Sequence, residues 1–360
     1  MQQFLQTEIV QVDALCPEAD IIERAASLLR NGEVVVFPTE TVYGLGGDAF
    51  QPAALERIFA AKGRPFSDPL IVHIAHEGDL EQLTRHIPEA AKRLAKAFWP
   101  GPLTLILPKG ERVPKLVTAG LETVAVRMPR HPVALALIRA LGSPIAAPSA
   151  NRFMHVSPTT AQHAYDDLAG RVPLILDGGP CEVGVESTVL DLHSDVPTIL
   201  RPGGVSLEVL RTVLPDVQPP RPRPVHEESR QEEQQAQLSP GQMLLHYAPS
   251  VPLLLYDGSV AHMRTAMLRE LERRQRQGER VGVLVADEDL PIFEGHDAIL
   301  YKLGSAQNPS QVASALFAGL RALEEARVQV ILCRNFDEHG LGLAVRDRLL
   351  KAAGGKIIEV

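Results

Sequence analysis

Cysteine is nearly absent from this chain. Cys16, Cys181 and Cys333 are the only three in 360 residues, and they stand far apart. That spacing builds neither a disulfide framework nor a CxxC or Cys/His zinc site, and it yields no metal-ligand set. Long apolar runs are missing too, so no segment is expected to span a bilayer. The opening MQQFLQTEIVQVDALC lacks the basic start and apolar stretch of a secretory signal, and a soluble cytoplasmic protein with no membrane partner is the expectation. Positive charge is not in excess, because 36 Lys and Arg against 44 Asp and Glu leave a net −8. No whole-molecule field therefore draws nucleic acid, and an anionic ligand needs a local basic cluster. Several signatures of chemistry are lacking as well: GxxxxGK[ST], HExxH, a Ser-His-Asp order, and a carboxylate pair that would drive hydrolysis.

What is present reads as two domains, since 360 residues exceed what one core usually fills. The break is Pro215 to Gln237, Pro-rich and then charged and Gln-rich, with almost nothing to bury. The expected division is a first domain over 1–214, a linker over 215–251 and a second domain over 252–360. In the first domain strand-length apolar runs lie at Glu33–Phe37, Leu70–Ile74, Leu103–Leu107, Val124–Met128, Ile145–Ala147, Leu174–Leu176, Thr188–Leu192 and Thr198–Leu200. Helical periodicity lies at Ala19–Arg30, Ala53–Ala61, Glu89–Phe98, Val133–Leu141 and Thr159–Leu168. More strands than helices predicts an α/β domain with a twisted, mixed sheet. The second domain alternates strand and helix as a small Rossmann-like unit does, without the GxGxxG of a dinucleotide site.

The candidate residues sit where strands end. Pro38-Thr39-Glu40-Thr41-Val42-Tyr43-Gly44-Leu45-Gly46-Gly47 follows the apolar EVVVF, and its glycines and hydroxyls suit either close approach of a ligand or a structural turn. In Lys62-Gly63-Arg64-Pro65-Phe66-Ser67-Asp68-Pro69, two cations flank a glycine in a proline-stiffened loop, which fits a phosphate chain or a solvated turn. Asp68 can cap that turn, and His73 lies inside the apolar strand that follows. Arg127 ends another apolar strand and, if buried, must meet a carboxylate of the protein or of a substrate. Ala147-Pro148-Ser149-Ala150-Asn151 runs on to Ser157-Pro158-Thr159 at a helix start, where backbone N–H groups can hold phosphate oxygens or Ser157 can be a plain N-cap. Glu186-Ser187-Thr188-Val189 and Arg201-Pro202-Gly203-Gly204 complete a set that describes an anion-binding cleft without a P-loop.

Taken in order, PTETVYGLG, KGRPFSDPLIVHI, VAVRMP, APSAN, ESTV and RPGG resemble the recurrent motifs of the YrdC/Sua5 family. SPGQMLLHYAP resembles the linker motif of the long Sua5 form, and GLGLAVRDRLLKAAGG its C-terminal helix. Gln242 intrudes where that linker motif often reads SPGM, and Ser157-Pro158 replaces a frequent Ser-Gly. The resemblance implies a YrdC-like catalytic domain, a linker and a Sua5-type C-terminal domain. It also implies a nucleotidyl transfer in which L-threonine, bicarbonate and ATP, with Mg²⁺, give L-threonylcarbamoyl-AMP and pyrophosphate for the t6A modification of tRNA. By the same resemblance Thr41, His73, Arg127 and Ser187 contact L-threonine. Arg64, Asp68, Thr123, Ala147, Ser149, Ser157, Arg201 and Tyr247 contact ATP, and Lys62, Arg64 and Arg201 carry the charge that develops on the phosphates. The product is expected to pass to the t6A transferase complex, with room for weak tRNA binding.

Two other classes compete. A module binding tRNA or double-stranded RNA would use the same Lys and Arg on phosphates, but the acidic balance and the few aromatics at the basic loops speak against it. A carbamoyl-adenylate enzyme of hydrogenase maturation would need acylphosphatase-like and zinc-finger segments, which are missing.

Overall fold

The computed structural model describes residues 6–221 and 247–360. It divides into two compact units. Among the described residues the first holds those up to Phe153, Ser157–Glu182 and those from Glu186 to Arg221, and the second holds Met154–Val156, Val183–Val185 and those from Tyr247 onward.

Ten strands form the sheet of the first unit: β1 (Glu8–Gln11), β2 (Val35–Phe37), β3 (Gly44–Asp48), β4 (Ile71–His73), β5 (Leu103–Pro108), β6 (Thr123–Arg127), β7 (Ile145–Ala146), β8 (Leu174–Asp177), β9 (Thr188–Asp191) and β10 (Thr198–Arg201), in the order β1-β8-β2-β3-β7-β4-β6-β5-β9-β10. Parallel pairings (β1/β8, β2/β8, β4/β6, β5/β9) mix with antiparallel ones (β2/β3, β3/β7, β4/β7, β5/β6, β9/β10), as the excess of strands predicts. The period-two rule explains the apolar run VVVF: Val36 joins one hydrophobic cluster while Val35 and Phe37 join another, so β2 is buried on both faces. Helices Ala19–Arg30 and Pro132–Leu141 cover the second cluster with Ala25, Ala26, Leu29, Ala134, Leu137 and Ile138. Leu29, Leu137 and Ile138 each contribute about 1.5–3 kcal/mol by leaving water, and the alanines less.

Three sequence-based readings change. Gly44–Asp48 is a strand and not a loop, because Gly46 must lie flat against its neighbours: a Cβ there would meet the Phe37 ring at 2.6 Å and Ile145 at 2.7 Å. The expected linker starts later, since Val217 is fully buried and Gln218 hydrogen-bonds Pro197 and Ile199. Ser157 is not the cap of the next helix; Thr160 is, with its hydroxyl accepting the His163 N–H before Ala161–Leu168.

In the second unit β11 (Leu253–Asp257), β12 (Val281–Val285), β13 (Ala298–Lys302), β14 (Val330–Arg334) and β15 (Ile358–Glu359) form an all-parallel sheet ordered β13-β12-β14-β11-β15. β14 lies between β11 and β12, so the order departs from the usual dinucleotide-binding one. Helix Val260–Arg276 presents Met263, Met267 and Leu271, four residues apart, to this sheet's core. Of SPGQMLLHYAP only Tyr247-Ala248-Pro249 falls within the described residues.

Candidate active site

Strand register brings the singled-out residues into rows on one face of the first sheet. His73 of β4 is opposite Arg127 of β6, Arg127 is opposite Thr104 of β5, Thr104 is opposite Val189 of β9, and Val189 is opposite Arg201 of β10. The next row along the same face is apolar, with Ile71, Ala125 and Ile106, which pack together with Val189. Thr123 follows one step further along β6, because residues two apart share a face. A polar row, an apolar strip and a hydroxyl thus succeed one another over about 13 Å of strand.

Arg127 is gripped from three directions. Its Nε donates to the Gly101 carbonyl at 3.3 Å, its Nη1 donates to Thr41 Oγ1 at 2.9 Å, and its Nη2 lies 2.8 Å from Glu40 Oε1. Both charges are almost fully buried. The other oxygen of Glu40 accepts the Arg130 backbone N–H at 3.1 Å. Thr41 is set in place by Thr39, whose hydroxyl lies 2.8 Å from Thr41 Oγ1 and donates to the Val42 carbonyl.

The basic loop is built by helix termination. Gly63, at φ +66°, ends Pro52–Lys62 in the left-handed conformation that glycine takes at no steric cost, and turns Arg64 back toward the sheet. Arg64 then donates to the carbonyls of Asp68 and Pro69 and lies 2.9 Å from the Asp68 carboxylate. Lys62 Nζ donates to the carbonyls of Ser149 and Asn151, each at 2.6 Å, and so shapes the APSAN segment. That segment is joined to the glycine strand by Leu45 N–H to Pro148 O and Ala150 N–H to Tyr43 O, and Ala147 N–H reaches Ile71 O.

ESTV and RPGG are one structural unit. Gly203 lies so close to residues 186–188 that a Cβ would come within 2.2 Å of the Glu186 carbonyl oxygen. Through that contact the Arg201 guanidinium reaches Ser187, donating to its carbonyl at 3.0 Å and its hydroxyl at 3.1 Å, while Thr104 Oγ1 lies 2.7 Å from the same hydroxyl. Ser157 donates to Glu186 Oε1 at 2.5 Å.

Burial sets the electrostatics. It drives the His73 imidazole down to about 3, with the Arg127 cation adding to the effect, so this histidine is neutral. Burial also carries Lys62 well below the usual lysine range, helped by Arg64 beside it, and raises the Asp68 carboxyl against the pull of Arg64, Lys62 and Arg201. Among the described residues, His73 Nδ1, Glu40 Oε1, both Asp68 carboxylate oxygens and Arg127 Nη2 are buried without a hydrogen-bond partner, although the Glu40 and Asp68 carboxylates are ion-paired. Unspent hydrogen-bonding capacity is rare in protein interiors, and most of it among the described residues gathers here.

Thr41, His73, Arg127, Ser187 and Arg201 therefore come together, as do Lys62, Arg64, Asp68, Ala147 and Ser149, while Ser157 joins through Glu186. Sequence reasoning passed over Glu40, Glu186 and Thr104, although the two acids stand inside PTETVYGLG and ESTV. Tyr247 belongs to the second unit, where its ring is 1 % exposed, stacks on Phe317 at 5.5 Å and lies under the Arg348 guanidinium at 4.9 Å. No group of three or more His, Cys, Asp or Glu that could hold a metal exists among the described residues. No helix among them is long and apolar enough to cross a membrane. The Cys181 and Cys333 thiols are buried, and burial pushes Cys333 up to about 12, so neither offers a thiolate nucleophile.

A mixed-sheet domain whose strand ends gather buried cations, hydroxyls and close-packed glycines defines a class: an enzyme that handles an anionic small molecule without a P-loop. Known proteins narrow the class. Residues 27–203 match the family described as "Telomere recombination" (Sua5, YciO, YrdC), and residues 205–354 match the threonylcarbamoyl-AMP synthase C-terminal domain. The threonylcarbamoyl-AMP synthase of Bacillus subtilis is 46% identical over 96% of this chain and 97% of its own, and that of Pyrococcus abyssi 44% identical over 94% and 96%. The crystal structure of P. abyssi Sua5 complexed with L-threonine superposes with a TM-score of 0.89 at 43% identity, covering 98% of this chain and 99% of that one. The chain belongs to the YrdC/Sua5 family, as a long, two-domain, threonylcarbamoyl-AMP synthase-type enzyme.

Proposed function

We propose that the chain converts L-threonine, bicarbonate and ATP into L-threonylcarbamoyl-AMP and pyrophosphate, for t6A formation in tRNA. The observation that carries this reading is the row of buried polar groups with unspent hydrogen bonds beside an apolar strip on the same sheet face. Arg127, with Thr41, His73 and Ser187 around it, takes L-threonine through its carboxylate, the charge-assisted contact a guanidinium makes best. The apolar strip of Ile71, Ala125 and Ile106 offers a flat floor to adenosine, between Thr123 at one end and the cations at the other. Arg64, Asp68, Ala147, Ser149, Ser157 and Arg201 hold the nucleotide.

The ammonium of L-threonine, held near its carboxylate, loses a proton to solvent, and the free amine forms an N–C bond with bicarbonate to give a carbamate as water leaves; a carbamate oxygen then attacks the α-phosphorus as pyrophosphate leaves. Lys62, Arg64 and Arg201 supply positive charge where negative charge grows, and Lys62 also fixes the loop that carries Ser149. Positioning of reactants, not a covalent intermediate, provides the acceleration. Any Mg²⁺ would be ligated mainly by phosphate oxygens and water, since no carboxylate cluster is available for it among the described residues. Tyr247 is left out of the proposed nucleotide site, because its ring is already engaged within the second unit. The product passes, in the cytoplasm, to the transferase that modifies tRNA, and tRNA itself binds at most weakly.

Pyrophosphate release that requires both L-threonine and bicarbonate tests the reading, with Arg64→Ala and Arg127→Ala each expected to abolish it while staying folded. Tight tRNA binding without such release would favour the RNA-binding alternative and sink this one.

A further inference from the structure

Glu40 has no part in the reaction as described above, yet it occupies the same buried corner as Arg127. Its residue is 3 % exposed and that of Arg127 is 4 %. Glu40 Oε2 is taken by the Arg130 N–H, which fixes the carboxylate in place. Glu40 Oε1 is not taken in that way. It lies 2.8 Å from Arg127 Nη2, near enough to compensate the charge, yet the two make no hydrogen bond. Both atoms remain buried without a hydrogen-bond partner among the described residues. The buried Arg334–Asp289 pair of the second unit behaves differently and does make its hydrogen bond. Arg64–Asp68, at the nucleotide end of the site, differs as well, because Arg64 Nη2 already donates to the Pro69 carbonyl.

A donor and an acceptor standing side by side, oppositely charged and unspent, form the complement of a zwitterion. In an α-amino acid the nitrogen and the nearer carboxylate oxygen are held roughly 2.7 Å apart by covalent geometry. That span matches the 2.8 Å between Glu40 Oε1 and Arg127 Nη2. We propose that Glu40 is a substrate-binding residue: its Oε1 accepts the α-ammonium of the amino-acid substrate while Arg127 Nη2 donates to the carboxylate. The two ion pairs then close into a square of alternating charge, and the net charge of the buried corner does not change on binding. Thr41, which already accepts from Nη1 of the same guanidinium, holds the other side of the fork. The inference rests on reading the chain as an enzyme that uses L-threonine, and it predicts that the corner selects free α-amino acids over hydroxy acids.

The test is equilibrium binding to the full-length chain, without ATP, of two probes: L-threonine, and 3-hydroxybutyrate, which keeps carboxylate and hydroxyl but lacks the ammonium. Glu40→Gln keeps the shape and removes the charge. L-threonine affinity should fall by about tenfold or more toward that of 3-hydroxybutyrate, the loss expected for one charged hydrogen bond. Affinity for 3-hydroxybutyrate should hold or rise, because the guanidinium relieved of Glu40 meets its carboxylate uncompensated. Equal loss for both probes would mean that Glu40 only steadies Arg127, and no loss for either would mean that it does not touch the ligand; each overturns the proposal. If Glu40→Gln does not fold, Glu40→Asp, which withdraws the carboxylate by one methylene, must show the same selective loss. Should the wild-type chain bind another L-amino acid with this pattern and not L-threonine, the proposed function falls and the zwitterion site stands. Failure to bind any amino acid overturns both.

Discussion

Replacing Arg127 by alanine asks how much of the site is held together by its own buried charges. Arg127 and Glu40 side chains are 4% and 3% exposed, so solvent screens the pair little. The substitution removes hydrogen bonds to Thr41 and Gly101 and leaves a carboxylate in the interior without its cation. Breaking a buried pair from one side costs about 3–5 kcal/mol, most of it the penalty for the orphaned charge. For a domain of this size that corresponds to a fall in melting temperature of about 6–20 °C. Glu40→Ala should destabilise by a similar route, since it strands the guanidinium. The double variant Arg127→Ala/Glu40→Ala strands neither group, so its loss should be smaller than the sum of the two single losses by at least about 1 kcal/mol. Urea unfolding of the four proteins without ligand measures this. Strict additivity would show that the two charges do not feel each other, and the account of the site as a charge-balanced interior would be refuted.

Three further perturbations follow from the same geometry. Gly203→Ala places a methyl against the backbone of Glu186, Ser187 and Thr188, none of which is the flexible end of a side chain; a loss of about 1–3 kcal/mol and reduced turnover are expected, and an unchanged melting curve with wild-type activity would contradict it. His73, held down at about 3 in the folded chain and near 6.5 when unfolded, leaves its full stability above pH 6.5 and withdraws it as the pH falls toward 3. Between those values the unfolded state binds the extra proton, so the advantage of wild type over His73→Gln should shrink by about 1.6 kcal/mol from pH 6.5 to pH 5; an equal advantage at both pH values would refute the neutral, buried imidazole. Tyr247→Ala deletes a fully buried ring from the second unit and should cost about 3–5 kcal/mol of that unit's stability, measured by chemical denaturation; a neutral result would mean that the stack on Phe317 is incidental.

Much of the fold was legible because its signals are local. The buried runs at Leu103–Pro108 and Val281–Val285 and the periodicity of Ala19–Arg30 and Val260–Arg276 need no knowledge of neighbours. Two of the elements that were missed show the physical reasons. Gly44–Asp48 has the composition of a turn, and only the Phe37 ring and Ile145 packed against Gly46 explain why a strand must be made of glycines. Glu8–Gln11 is an edge strand with exposed side chains, so it carries no apolar run to read. Val217 gave no warning either, because one valine among prolines and charges is not a pattern until Pro197 and Ile199 pair with its neighbour.

The site divides along the same line between local and distant. Arg127 announced its need, since an arginine closing an apolar strand must find an acceptor, but the partner depended on topology. His73 meets Arg127 across a parallel pairing and Thr104 meets it across an antiparallel one, in a sheet whose order β4-β6-β5-β9 does not follow the chain. Glu40 was therefore invisible as a partner even though it adjoins Thr41 in a recognised string. Gly203 and Glu186 show the converse. Here the backbone and not a side chain matters: the absence of a side chain at Gly203 lets the Glu186 carbonyl approach, and that approach aims Arg201 at Ser187. Motif strings of this kind record where the backbone has no room for alternatives; which charges then face each other is decided by the sheet.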